Sequence, residues 1–241
     1  MDDQRRQQEV DCRCWDRVWP QTYKVMSSTF DIDVAFLKLQ EVMKAYPRAA
    51  MFQLAEEGYR SPFEQLISCM ISIRTYDEVS LPVAKKLFDR ANTPQAMSKL
   101  SLAEIEGLIR QSTFAERKAE QILAIAQKIV EKHNGELPCD AETLLAFKGV
   151  GPKCAHLTLG IACDQPYISV DIHVHWVMNR WGYVETKTPE KTTKALEEKL
   201  PSDYWVETNK LLMPFGKQIC QARPKCGVCP LVEMCPRVGV A

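Results

Sequence analysis

The chain lacks several features that would assign it to other classes of protein. No apolar run approaches the roughly 20 residues of a membrane-spanning helix, and the polar N-terminus carries no apolar signal-peptide core. No stretch alternates apolar and polar residues as a half-buried strand does. No charge excess is present either, because 31 Lys and Arg residues balance 31 Asp and Glu residues. We therefore expect an intracellular protein without a membrane segment, in which any basic surface is local.

Helix signals run through almost the whole chain of 241 residues. Residues 61–64 (Ser-Pro-Phe-Glu) and 101–104 (Ser-Leu-Ala-Glu) have the form of capping boxes. Thr-Pro pairs at 93–94 and 188–189 are typical helix starts, and the apolar residues of 118–132 follow helical spacing. These patterns predict an all-α fold. Residues 1–29 show no strong periodicity and are expected to form an N-terminal extension.

A glycine-rich turn between two predicted helices is the first motif with chemical meaning. Gly149, Val150 and Gly151 follow the end of one helix, and Pro152 is placed to begin the next. Glycines leave backbone N–H groups accessible, and a helix N-terminus attracts anions. The turn therefore predicts a clamp for DNA phosphates, as in helix-hairpin-helix modules. The alternative is an ordinary tight turn between packed helices.

Lys153 lies in the first turn of the helix that follows. A helix N-terminus disfavours a cation, and burial also favours the neutral amine. We therefore expect a lowered pKa and a nucleophilic amine that can form a Schiff base. The alternative is a solvent-facing lysine that touches a phosphate.

Asp171 follows a short β-prone apolar stretch and precedes an apolar helical segment. One interpretation makes it the N-cap of that helix. The other makes it a carboxylate that stabilises the positive charge developing during cleavage of a sugar–base bond. Both roles are compatible with one side chain.

The ten cysteines are unevenly distributed. Four of them, separated by five, two and five residues, suit a tetrahedral zinc ion or a 4Fe–4S cluster, and they are Cys220, Cys226, Cys229 and Cys235. Without a secretory signal, disulfides are the less favoured explanation for this cluster, and we expect the scattered cysteines to be small buried apolar residues. These are Cys69, Cys139, Cys154 and Cys163.

The order of these motifs resembles the endonuclease III family of helix-hairpin-helix DNA glycosylases, from about residue 33 onward. The resemblance implies that Lys153 is the catalytic lysine and Asp171 the essential carboxylate, and it favours a 4Fe–4S cluster over zinc. It also implies two helical domains that flank a DNA cleft. A six-helix barrel would span 55–165, and a cluster domain would combine 30–54 with 166–241.

Two positions depart from, or extend, the family pattern. Arg74 stands where better-known members have a glutamine that fills the space of the extruded nucleotide, so the preference for the opposite base is expected to differ. Phe114 aligns with a loop residue that would act as an intercalating wedge. The alternative for Phe114 is burial in the core.

The implied function is a bifunctional DNA glycosylase and apurinic/apyrimidinic-site lyase of base excision repair. By resemblance its substrates are oxidised pyrimidines in damaged double-stranded DNA, and the enzyme is a monomer. One alternative is a mismatch or monofunctional glycosylase of the same superfamily. A second alternative, from a different class, is a non-catalytic iron–sulfur DNA-binding protein.

Overall fold

The computed structural model describes residues 30–240, and all regular structure in this range is helical. The α-helices are α1 (Ile32–Val42), α2 (Ala50–Glu56), α3 (Pro62–Ser72), α4 (Asp77–Arg90), α5 (Pro94–Met97), α6 (Leu102–Ile109), α7 (Ala115–Lys132), α8 (Ala141–Leu145), α9 (Pro152–Ala162), α10 (Ile172–Arg180), α11 (Pro189–Lys199) and α12 (Trp205–Gln218). The predicted all-α fold class is confirmed. The predicted extension at 1–29 lies outside the described residues.

The helix starts follow the capping signals of the sequence. The Ser61 hydroxyl accepts from the Glu64 amide at 3.2 Å, and the Glu64 carboxylate accepts from the Ser61 amide at 3.0 Å. Ser101 forms the same box at the start of α6, and Thr93 and Thr188 cap α5 and α11. Each side chain satisfies an amide that the first helical turn leaves without a partner.

Two hydrophobic cores organise the described residues. The first core is built from α2 to α9, and the second from α1, α10, α11, α12 and the C-terminal segment around Leu231. Helix α2 packs on α3, α4 and α9, so its buried side chains Met51 and Leu54 belong to the first core. The predicted boundary after residue 54 had placed α2 with the other unit. The division into domains stays a prediction.

The two cores meet along α9, α10 and α12. Gly216 of α12 allows close packing on α10, because a Cβ atom there would lie 2.7 Å from Cβ of His173. Lys217 of α12 reaches the start of α4, where its Nζ lies 2.8 Å from the Glu78 carboxylate and 3.5 Å from that of Asp77. None of the described helices combines the length and apolar character needed to cross a bilayer.

Candidate active site

The hairpin between α8 and α9 contains the two glycines of the predicted phosphate clamp. Gly149 has a φ of +92°, which favours glycine, and a Cβ there would crowd the Gln121 amide at 2.5 Å. Gly151 precedes Pro152 with an ordinary φ of −103°, and a Cβ there would meet nothing within 4 Å. The packing of the chain therefore does not require glycine at Gly151. The missing side chain leaves room for a ligand beside the N-terminus of α9.

Lys153 and Asp171 face each other across the junction of the two cores. The Lys153 Nζ lies 3.9 Å from Oδ2 of Asp171, with the lysine side chain half exposed and the carboxylate largely buried. The other carboxylate oxygen, Oδ1, accepts from the amides of His173 and Val174 at 2.9 and 3.0 Å. Asp171 is therefore the N-cap of α10, as one interpretation of the sequence has it, and it presents its second oxygen to the amine.

The expected lowering of the Lys153 pKa is wrong. Burial lowers the pKa of this amine, but the negative charges of Asp171, Cys69, Cys154 and Asp77 raise it by more, and the pKa lies above its ordinary value. Burial and the helix N-terminus, the two effects visible in the sequence, leave out these charges, which come from α3, α4, α9 and the N-cap of α10. In the free protein Lys153 is therefore an ammonium group that must lose a proton before it can attack.

Two buried thiols lie directly behind this lysine. Cys69 of α3 and Cys154 of α9 are 2% and 4% exposed, and their sulfur atoms are 2.7 Å apart. Their burial agrees with the sequence prediction. Their contact was not foreseen, because 85 residues separate them in the chain.

The loops that carry Arg74 and Phe114 lie side by side. Both residues have left-handed backbone conformations, with φ values of 55° and 58°. The Arg74 guanidinium lies 6.0 Å from the centre of the Phe114 ring, within the range of a cation–π contact. Phe114 is 58% exposed, so its core alternative is excluded. An exposed aromatic ring beside a cation is a surface suited to DNA.

Lys118, which the sequence argument did not single out, joins these two loops. Its buried Nζ donates to the carbonyls of Ile71 and Ile73 at 2.7 and 2.9 Å, and to the Thr75 hydroxyl at 3.2 Å. The Thr113 hydroxyl in turn donates to the Arg74 carbonyl at 2.7 Å. Burial lowers the pKa of Lys118 to about 8. The signal in the sequence was a lysine on the apolar face of α7.

The four clustered cysteines line one cavity near the C-terminus, together with Arg180 at the end of α10. The Arg180 guanidinium donates to the Cys220 carbonyl at 2.8 Å and lies 3.4 Å from its sulfur. Within residues 30–240, no three Cys, His, Asp or Glu side chains are grouped as ligands of a single metal ion. Four cysteines around one cavity suit a thiolate-bound metal centre.

Cys139 and Cys163 form a disulfide. The expectation that they are isolated apolar residues is therefore wrong. The bond joins the segment before α8 to the end of α9, and it encloses the whole glycine-rich hairpin with Lys153. Spacing along the chain gave no sign of this pair, because only the antiparallel arrangement of α8 and α9 brings the two residues together.

The chain is similar to a family of known proteins. Residues 67–202 match the family model of the HhH-GPD superfamily base excision DNA repair proteins. The chain is 38% identical over 197 residues to endonuclease III of Thermotoga maritima, covering 81% of this chain and 89% of that protein. It is 34% identical over 181 residues to endonuclease III of Escherichia coli K12, covering 75% and 86%. A solved non-covalent endonuclease III–DNA complex superposes with a TM-score of 0.74 at 29% identity, covering 86% of this chain and 94% of that one.

The fold and the matched superfamily define a DNA glycosylase of base excision repair. Within that superfamily, the identity and coverage of the relatives place the chain in a particular group. It belongs to the endonuclease III family.

Proposed function

We propose that the protein is a bifunctional glycosylase and lyase in which Lys153 is the nucleophile and Asp171 the assisting carboxylate. The observation that carries this proposal is the 3.9 Å approach of the Lys153 amine to Asp171 beside the glycine-rich hairpin. Cleavage of a sugar–base bond develops positive charge on the sugar. A carboxylate fixed by two backbone amides is already oriented to stabilise that charge.

The reaction begins with extrusion of the damaged nucleotide into the site. Lys153 gives its proton to Asp171, which passes it to the leaving base and is ionised again, and the neutral amine forms a bond to C1′ as the bond between C1′ and the base breaks. The attached amine then gives a proton to the ring oxygen O4′, and the C1′–O4′ bond opens. The resulting Schiff base acidifies the C2′ protons. Loss of one C2′ proton breaks the C3′–O bond, and the strand is released with the phosphate as leaving group. Asp171 thus raises the Lys153 pKa before the reaction and accepts its proton during it, rather than keeping the lysine neutral throughout.

DNA binding is assigned to two surfaces. The hairpin amides of Gly149 and Gly151 hold backbone phosphates, because the exposed turn leaves room for close approach at a helix N-terminus. The amide of Val150, the third residue of this predicted clamp, already donates to the Phe147 carbonyl at 3.2 Å. Phe114 is the wedge that enters the base stack, and Arg74 fills the space of the extruded nucleotide. The exposure of Phe114 and its contact with Arg74 support this pairing.

The substrate is proposed to be damaged double-stranded DNA containing oxidised pyrimidines, bound by a monomer. This choice rests on membership in the endonuclease III family. No described side chain selects among damaged bases.

Cys220, Cys226, Cys229 and Cys235 are proposed to hold a 4Fe–4S cluster. The shared cavity supports this set, and a bound cluster would organise a segment that otherwise has little regular structure. The proposed base release and strand cleavage need no electron transfer, so the role of the cluster is structural. Cys226→Ser should therefore lower stability and DNA affinity together.

Borohydride trapping tests the nucleophile. The protein is incubated with a thymine-glycol duplex, and wild type is compared with Lys153→Ala and with Lys148→Ala, an exposed lysine of the same hairpin. We expect a covalent protein–DNA adduct in wild type and in Lys148→Ala, and none in Lys153→Ala. An adduct that persists in Lys153→Ala would assign the nucleophile to another amine.

The same assay separates the alternative functions. Base release by wild type without an adduct would indicate a monofunctional glycosylase. A gel shift without base release on any damaged duplex would indicate a non-catalytic DNA-binding protein.

A further inference from the structure

The buried thiols of Cys69 and Cys154 have no part in the chemistry proposed above. They face each other from different helices, with their sulfur atoms 2.7 Å apart. A disulfide requires a sulfur–sulfur distance of about 2.0 Å, so a small side-chain adjustment would allow the bond to form. Among the described cysteines without a disulfide, these two lie outside the C-terminal cavity.

The surroundings activate one thiol of the pair. The sulfur–sulfur hydrogen bond with Cys154 lowers the pKa of Cys69 against the effect of burial, and the positive charge of Lys153 and a hydrogen bond with Ser72 lower it further. The charges of Lys153 and Lys118 also favour the thiolate of Cys154, although the Cys69 contact and burial keep its pKa raised. The pair therefore places a thiol with a lowered pKa beside a second thiol, and the thiolate is the reactive form of cysteine.

We propose that Cys69 and Cys154 are a site of reversible oxidation, where a hydroperoxide joins the two sulfur atoms and links α3 to α9 behind Lys153. In the first step the Cys69 thiolate attacks a peroxide oxygen, the O–O bond breaks, and the leaving hydroxide takes the Cys154 proton as water. In the second step the Cys154 thiolate attacks the Cys69 sulfenic acid, and a second water leaves after taking up the proton first lost by Cys69. Two thiols lose two electrons, and the peroxide gains them.

The position of the bond gives it two consequences. It ties α3, which ends at the Arg74 loop, to α9, which begins at the hairpin, and so restricts the opening of both. It also removes the thiolate charge that helps to hold a proton on Lys153. The oxidised protein should therefore reach its neutral-lysine state at lower pH. The covalent step is independent of the proposed function, and only this second consequence depends on it.

The test treats the folded holoprotein with one equivalent of hydrogen peroxide and maps the peptides by mass spectrometry without reduction. We expect a Cys69–Cys154 linked peptide in wild type that disappears on reduction. Cys69→Ala and the more conservative Cys69→Ser serve as controls and should give no such peptide. If wild type remains alkylatable at both positions after denaturation, or gains oxygen without a link, the proposal is overturned.

Trapping with borohydride gives the functional readout. The trapping rate rises with pH as Lys153 loses its proton, and we expect this rise to lie at lower pH in oxidised wild type than in untreated wild type. In Cys69→Ala, peroxide should leave the rise at the same pH as in the untreated variant. Since both proteins carry the same C-terminal cysteines, damage there affects both alike and cancels in the comparison. A shift of equal size in the two proteins would contradict the effect on Lys153. A linked peptide with no trapping in untreated wild type would contradict the proposed function and leave the oxidation site standing.

Discussion

One carboxylate oxygen of Asp171 caps α10 while the other faces the amine of Lys153 at 3.9 Å. The two backbone hydrogen bonds fix the orientation of the carboxylate, so the second oxygen faces the lysine without further support. The same hydrogen bonds that begin α10 therefore also position the proposed catalytic pair.

Asp171→Asn should separate the charge of this residue from its capping role. Asparagine is a good N-cap, so the stability should change by only a few tenths of a kcal/mol. Base release should fall by roughly 10²- to 10³-fold, because a preoriented charge at the reacting sugar is lost. The Lys153 pKa should fall, so the rise of the single-turnover trapping rate with pH should move to lower pH.

Asp140→Asn is the matched control, since Asp140 caps α8 through a 2.7 Å bond to the Thr143 amide. Its base release and pH profile should equal those of wild type. An unchanged pH profile in Asp171→Asn would show that the carboxylate does not control the proton on Lys153.

Gly151→Ala should weaken DNA binding without harming the fold. A Cβ at this position meets nothing in the protein, and replacing glycine by alanine at a compatible position stabilises by about 0.4–1 kcal/mol. Gly107→Ala on the exposed face of α6 meets equally open space and is the control. Fluorescence anisotropy on an abasic-analogue duplex should show lower affinity for Gly151→Ala alone. Equal affinities would exclude close approach of DNA at the hairpin.

Lys118→Met should destabilise the protein by about 2–4 kcal/mol, because the carbonyls of Ile71 and Ile73 lose a donor in a buried place. The folded pKa of Lys118, about 8, lies below its ordinary value of 10.5. The unfolded chain therefore binds more protons between these values, and wild-type stability should rise relative to Lys118→Met from about pH 8 to about pH 10.5. Denaturant unfolding at several pH values measures both effects. A constant difference across that range would contradict the lowered pKa.

Loss of the Cys139–Cys163 disulfide should cost roughly 3 kcal/mol, which is the chain-entropy value for a loop of this length. Denaturant unfolding of wild type with and without reductant, beside the double variant Cys139→Ala and Cys163→Ala, measures the difference. The double variant should not respond to reductant through this pair, and it should match reduced wild type. If reductant leaves wild-type stability unchanged, the bond does not constrain the unfolded chain.

The parts of the fold that the sequence predicts are those determined within a few residues. The capping boxes at Ser61 and Ser101, the proline at the start of α9 and the N-cap role of Asp171 depend on neighbours two or three positions away. The local motifs also placed Lys153 in the first turn of a helix. Such interactions can be inferred before any tertiary structure is known.

The parts that the sequence does not predict depend on contacts between distant helices. The raised pKa of Lys153 comes from charges on α3, α4, α9 and the N-cap of α10, and the Cys139–Cys163 bond comes from the pairing of α8 with α9. The exposure of Phe114 depends on how its loop lies beside that of Arg74. Spacing along one chain contains none of this information.

Helix α10 has Asp171 at its N-cap and Arg180 at its last residue, where the guanidinium holds the carbonyls of Cys220, Gln221 and Ala222. Nine helical residues span about 14 Å. Over this distance the field of a charge weakens, but a rigid helix still carries a displacement from one end to the other. Damage to the cysteine-rich segment should therefore displace α10, and with it the Asp171 carboxylate that we propose faces the sugar. Helix α10 thus connects the segment proposed to hold the cluster with the carboxylate proposed to assist bond cleavage.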